Sequence, residues 1–260
     1  EVPCLGMEHQ SAVTYGNGYE NGYRGADLSG TGWGLKFDFI IVHESGHEWF
    51  ANNITNKDIA DMWIHESFTN YAESLFLEYH YGKEAADAYV IGLREGISND
   101  RTIIGHYGVN HEGSSDMYFK GANMLHTIRQ LVKDAQKWRA LLRGMNREFY
   151  HQTVSTAQIE NYISKTLGQD LSKIFDQYLR TTDIPVFEYR IVRNNFHYRW
   201  TNTLADFNMP LKINHNNTEK WIQPASEWKT MRLHEKTTHF SVDKNFYIKS
   251  KMNSDKSSDF

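Results

Sequence analysis

Cysteine is almost absent from this chain: Cys4 stands alone among 260 residues. No internal disulfide is available, and cysteine usage marks no oxidising compartment. No apolar run approaches the roughly 20 residues a membrane-spanning helix needs. The 28 basic and 32 acidic residues, a formal charge of −4, form neither long runs of one sign nor a basic stripe, which argues against a nucleic-acid partner. Internal repeats and low-complexity tracts are lacking as well. The opening Glu1-Val2-Pro3-Cys4-Leu5-Gly6-Met7-Glu8 has neither the charged start nor the apolar middle of a targeting segment. It reads like the inside of a fold, so a fragment of a longer protein is expected, and the compartment stays open. What is present suffices for one large core or two modest ones: 40% of residues are hydrophobic and 14% aromatic. Histidine, at thirteen residues, is plentiful.

Residues 14–34 hold seven Gly among Tyr, Asn and Ser and read as a loop. Apolar residues then surround His43 and His47 at mixed spacing, as in a helix buried on most sides, with Asp38 placed to cap its start. A longer helix is expected over 59–81, stopped by Gly82, and further helices over 84–96, 117–132, 135–148, 156–167 and 171–179. Ser155 and Gln158 have capping-box spacing, and Gly168 sits where a C-terminal cap belongs. After Pro185 the period changes to two: Phe187, Tyr189 and Ile191, then Phe196, Tyr198 and Trp200 across an Asn194-Asn195 turn, predict strands. The chain should be α+β, with a helical domain over 1–183, a small β domain over 184–250 and a frayed tail over 251–260.

His43, Glu44 and His47 form a His-Glu-x-x-His string, and Glu66 follows in the next predicted helix. Four residues along a helix turn about 400°, so both imidazoles leave one face and can grip one metal ion, with Glu44 beside it. Two imidazoles and a carboxylate are a donor set that catalytic zinc takes, leaving a position for water. Glu73 lies two turns past Glu66 on the same face and is placed to accept the other N–H of a ligating histidine. One zinc per chain is the expectation. His106, His111 and Glu112 are better read as a loop at a substrate rim or as solvated surface than as a second metal site. Tyr15, Tyr19 and Tyr23, interrupted by glycines, read as an aromatic loop near the cleft.

The run His43-Glu44-Ser45-Gly46-His47-Glu48-Trp49-Phe50-Ala51-Asn52, followed by Trp63-Ile64-His65-Glu66-Ser67-Phe68, resembles the zinc aminopeptidases of the aminopeptidase N (gluzincin) family, with their HExxHxWFGN signature and distal NEGF-type glutamate. Leu5-Gly6-Met7-Glu8-His9 is similar to that family's G-x-M-E-N motif, and Tyr118-Phe119-Lys120-Gly121 to its Y-x-K-G segment. The resemblance implies a mainly helical, thermolysin-like peptidase domain followed by a β-sandwich-like one. It implies zinc on His43, His47 and Glu66, Glu44 as the base that takes a proton from the zinc-bound water, and Tyr118 as the hydroxyl that stabilises the oxyanion. It also implies that Gly6, Met7 and Glu8 bind substrate, with Glu8 as the carboxylate that holds its free α-amino group.

The activity implied is hydrolysis of the first peptide bond of peptides with a free N-terminus. The family's N-terminal β domain, against which this chain would pack, is not in the sequence. Ala51, His65 and Ser67 replace Gly, Asn and Gly of the zinc segments, and zinc binding should survive these changes. Leu5 and His9 replace Gly and Asn of the exopeptidase motif, which bears on specificity. Two alternatives are a zinc endopeptidase or other zinc hydrolase, and a catalytically weak fragment that binds peptides or partner proteins.

Overall fold

The computed structural model describes residues 5–253. The chain divides into two compact units, one ending at Leu171 and one starting at Ser172.

In the first unit, two short strands, β1 (Gly6–Met7) and β2 (Thr14–Tyr15), pair antiparallel ahead of α1 (Phe39–Gly46). Asp38 caps α1 as expected, its Oδ1 accepting the N–H groups of Ile40 at 3.1 Å and Ile41 at 3.3 Å. Asp38 also receives the Tyr15 hydroxyl and the Asn17 amide, so the glycine-rich loop is tied to the start of this helix. β3 (Ile54–Asn56) leads through a single tight turn into α2 (Trp63–Tyr81), which Gly82 terminates at φ +88°. Twelve of the nineteen residues of α2 are buried, among them His65, Glu66, Asn70 and Glu73. A helix this polar can be central only because its polar groups find partners inside the protein.

α3 (Lys83–Gly92), α4 (Phe119–Val132), α5 (Ala135–Glu148) and α6 (Thr156–Leu167) follow, with β4 (Gln152–Val154) pairing parallel to β3. Phe37, Phe39, Ile40, Leu77, Ala86, Tyr89 and Leu93 form one apolar cluster under α1, α2 and α3. The capping box of Ser155 and Gln158 is present, and Gly168 closes α6 at φ +65°. The start of α2 is pinned from far along the chain: Trp63 Nε1 donates to Thr156 Oγ1 at 2.6 Å, and Thr156 Oγ1 in turn to Asp61 Oδ1 at 2.5 Å.

The second unit begins with α7 (Ser172–Arg180) and continues as β5 (Val186–Val192), β6 (Asn195–Thr201), β7 (Leu211–His215), β8 (Thr218–Ile222), β9 (Lys229–Arg232), β10 (Phe240–Val242) and β11 (Lys249–Met252). One sheet has the order β11-β5-β6-β9 and the other β10-β7-β8. Tyr189 and Phe196 of the first sheet lie 4.7 and 5.1 Å, ring to ring, from Phe240 of the second.

Two boundaries differ from expectation. α7 groups with the β unit, ahead of the expected limit at 183/184, because Tyr178 donates to Tyr247 O at 2.6 Å and Gln177 Oε1 accepts Leu204 N–H at 2.7 Å. Lys251 and Met252 belong to a strand, not a frayed tail. Their segment pairs with β5 through the backbone while all four of its residues stay exposed, so no apolar alternation announces it. Residues 254–260 lie outside the described region.

Candidate metal centre

α1 presents His43 and, from its C-terminal cap, His47; the first turn of α2 presents Glu66. The two Nε2 atoms are 3.2 Å apart, and Glu66 Oε2 lies 3.4 Å from that of His43 and 3.6 Å from that of His47. All three residues are buried.

The far side of each ring is occupied. His43 Nδ1 donates to Glu73 Oε1 at 2.8 Å, and His47 Nδ1 to the Phe50 carbonyl at 3.0 Å, with Thr69 Oγ1 at 3.1 Å. With both Nδ1 atoms protonated, the neutral rings turn Nε2 lone pairs toward each other and toward a carboxylate oxygen that has no hydrogen-bond partner. Such an arrangement suits a cation. Tetrahedral zinc with bonds of 2.0–2.1 Å sets its ligand atoms about 3.3 Å apart, and the observed separations bracket that value. The residues fit the ion.

Burial lowers the pKa of His43, but the nearby carboxylates of Glu66 and Glu73 outweigh it and push it up to about 10. The same contact with His43, together with His47, holds Glu66 low despite its burial.

Glu73 is fully buried and also accepts from Tyr89 OH at 2.6 Å and Asn70 Nδ2 at 2.9 Å. The acceptor expected from spacing is thus in place beside His43. Tyr89 and Asn70 were not expected. Asn70 lies three residues before Glu73 on the same helical face and could have been noticed, whereas Tyr89 comes from α3 without a local signal.

Glu44 is buried beside the histidines, and its Oε2 has no partner. Burial raises its pKa to about 7; His43 opposes the shift, while Glu8 and Glu66 add to it. Gly6 explains how β1 can pass so close: a Cβ there would lie 2.3 Å from Glu44 Oε1 and 2.9 Å from Ile40 Cγ2. Glu8, just past β1, places a carboxylate oxygen within 4.8 Å of donor atoms of both Glu44 and His47. Met7 is 44% exposed. It lines neither cavity beside Glu44. One of these, about 340 Å³, is bounded by Gly6, Phe39, His43, Asn70 and Tyr118. The other, about 330 Å³, is bounded by Val13, Tyr15, Tyr19, Ile41 and Glu48, so the aromatic loop does border the cleft.

The Tyr118 ring stacks 6.0 Å from His43, and burial, then the charges of Glu66 and Glu112, raise its pKa, so the phenol keeps its proton. Ser67 Oγ donates to Met117 O at 2.6 Å, joining the residue after Glu66 to the residue before Tyr118. Gly121 makes room for it, since a Cβ there would stand 1.8 Å from Ser67 Oγ. His65 is buried and neutral, its Nε2 accepting Asn56 N–H at 2.9 Å, and burial brings its pKa down to about 4. Ala51 takes φ +156°, where a glycine would be at ease. His106 and His111 rings lie 4.6 Å apart, but among the described residues no third ligand joins them.

The peptidase family M1 domain matches residues 6–178. Aminopeptidase N of Lactococcus lactis subsp. lactis is 26% identical over 166 residues, covering 59% of this chain and 19% of that protein. A probable aminopeptidase 1 of Sulfurisphaera tokodaii is 24% identical over 202 residues, covering 74% and 25%. The chain therefore spans a quarter or less of these relatives' length. Among solved structures, Legionella pneumophila aminopeptidase A in complex with aspartic acid is similar over 88% of this chain and 29% of its own, with TM-score 0.67 and 12% identity. A mutant M1 zinc metallopeptidase of Deinococcus radiodurans, bound to a Tyr-Ser-Ala substrate, is similar over 68% and 37%, with TM-score 0.53 and 21% identity. With the domain match spanning more than half of the chain and the metal-binding geometry inside it, this protein belongs to peptidase family M1.

Proposed function

We propose that this chain carries the catalytic part of a zinc aminopeptidase, with one zinc held by His43, His47 and Glu66 and a thermolysin-like arrangement of the first unit. The observation that carries the reading is the convergence of three potential ligand atoms 3.2–3.6 Å apart, with the Glu44 and Glu8 carboxylates beside them. Bound there, zinc would supply Lewis acidity, lowering the pKa of a water and polarising the scissile carbonyl.

The chain's own groups do the rest. Glu44, unpartnered at Oε2, accepts the proton of the attacking water and can pass it to the leaving amine. Tyr118, held protonated, donates to the oxygen on which negative charge develops. Glu8 pairs with the substrate's α-ammonium group, which fixes the cut at the first peptide bond. Gly6 lets the strand carrying Glu8 lie against Glu44, and Glu73 orients His43.

Peptides with a free N-terminus are the substrates we assign, and in the whole protein a domain preceding β1 would complete their enclosure. The deciding experiment compares free and N-acetylated aminoacyl substrates on wild type, Glu44→Gln and Glu8→Ala, with zinc content measured throughout. Turnover should vanish in Glu44→Gln with zinc retained, and the free-amine preference should vanish in Glu8→Ala. Equal cleavage of both substrates by wild type would replace this reading with that of a zinc endopeptidase.

A further inference from the structure

Behind His43 the carboxylate of Glu73 is held at both of its oxygens. Oε1 accepts His43 Nδ1 at 2.8 Å and Asn70 Nδ2 at 2.9 Å, and Oε2 accepts the Tyr89 hydroxyl at 2.6 Å. Glu73 is 0% and Tyr89 1% exposed, so bulk water cannot stand in for these donors. The last torsion of a glutamate side chain is broad, and a carboxylate anchored at one oxygen can swing about that anchor. His43 and Asn70 share Oε1. Among the described residues, Tyr89 is thus the donor that fixes the carboxylate plane through Oε2. The Tyr89 ring is itself immobilised: it lies in the apolar cluster with Leu77 and Leu93, edge-on to Phe37 at 5.7 Å. Its helix, α3, is tied to α4 by Asn123 Nδ2, which donates to Val90 O at 2.8 Å. Packing therefore sets the direction of the hydroxyl.

We propose that Tyr89 is a positioning residue for His43, acting through Glu73, so that α3 sets how tightly the metal is held although it contributes none of the proposed ligands. This rests on the assignment of zinc to His43, His47 and Glu66. The faces of the His43 ring stack on Phe39 at 5.3 Å and Tyr118 at 6.0 Å, which limits its tilt and leaves its displacement within its own plane to the Nδ1 bond. Without the Tyr89 hydroxyl, Oε2 of a buried carboxylate has lost its donor and the carboxylate turns. The Nδ1 bond then no longer holds Nε2 on the point it shares with His47 Nε2 and Glu66 Oε2. Removing the outer partner of a ligand typically costs 10- to 100-fold in metal affinity, and about 10-fold is expected one residue further out. Asn70→Ala should cost less, because Oε1 keeps its bond to His43.

Tyr89→Phe keeps the packed ring and removes only the hydroxyl. Zinc affinity is measured by competition with a chromogenic chelator in wild type, Tyr89→Phe, Glu73→Ala and the double variant, with thermal unfolding of each metal-free form alongside. Tyr89→Phe should bind zinc about 10-fold more weakly than wild type, and adding it to Glu73→Ala should cause no further loss, because the route to His43 is already cut. The visible absorption of the cobalt-loaded protein should change in Tyr89→Phe, since one ligand is re-aimed. A residue that merely fills the core would lower the melting temperature and leave the affinity of the folded protein and the cobalt spectrum as they were; that result overturns the proposal. An equal loss with and without Glu73 overturns it too. Should the double variant fail to fold, affinity and spectrum of Tyr89→Phe alone decide. Wild type that takes up one zinc while Tyr89→Phe matches it refutes this inference and spares the ligand assignment, whereas wild type that takes up none refutes the assignment and this inference with it.

Discussion

Gly6 is where a single methyl group should separate metal binding from catalysis. In Gly6→Ala the new Cβ would stand 2.3 Å from Glu44 Oε1 and 2.9 Å from Ile40 Cγ2, whereas real Cβ contacts essentially never fall below 3.0 Å. The carboxylate must therefore retreat by about 0.7 Å or more, since Ile40 blocks an escape of the methyl to the other side. Misplacing a reacting group by about 1 Å costs on the order of 100-fold in rate, or about 2.7 kcal/mol. None of the three atoms nearest this methyl belongs to the proposed ligands His43, His47 and Glu66, so zinc content should stay at one per chain. Steady-state kinetics with metal analysis on the same samples is the assay. The expected result is kcat down about 100-fold with zinc unchanged. A variant whose kcat stays within about 3-fold of wild type would show that Glu44 does not need its observed position, and the reasoning from close approach would fail.

Glu73→Gln should weaken zinc binding about 10- to 100-fold, read by competition with a chromogenic chelator, because Glu73 serves as acceptor to His43, Asn70 and Tyr89 together. Ser67→Ala strands the buried Met117 carbonyl and should cost about 1–3 kcal/mol in urea unfolding, with Tyr118 losing its tether and kcat falling more than KM rises. In the metal-free protein the pKa of His43 rises from 6.5 to about 10, so its stabilising contribution is complete below about 6.5 and is lost as pH climbs through 10. The melting temperature of the metal-free form should fall over that window; the zinc-loaded form should not follow it, and zinc uptake at pH 8 should release a proton detectable with a pH indicator.

How much of this could be read in advance depends on the distance over which each signal acts. The proposed ligand pair His43 and His47 and the acceptor Glu73 follow from the turn angle of a helix, and Glu66 from its place on the next one. The caps at Asp38, Ser155 and Gly168 are equally local and were legible for the same reason. Tyr89 beside Glu73, the Phe50 carbonyl on His47 and the Ser67 bond to Met117 depend on how separate segments dock, which no short-range pattern encodes. The strand at Lys249–Met252 escaped because its pairing is made by the backbone alone, with no side chain buried. α7 joined the β unit because of its partners Leu204 and Tyr247, not because of its own amphipathic sequence.

The proposed ligands and the acceptor behind His43 all fall between residues 43 and 73, on two helices that are neighbours in the chain. Tyr118, and the β4 strand that pairs with β3, come from much further along. Loop closure is less costly the shorter the loop, so the α1–α2 pair can meet during folding before the distant segments dock. Refolding in the presence of zinc should therefore show the ion captured early and the hydrolytic competence arriving late. The metal, in that order of events, would act as a nucleus around which the remainder of the unit assembles.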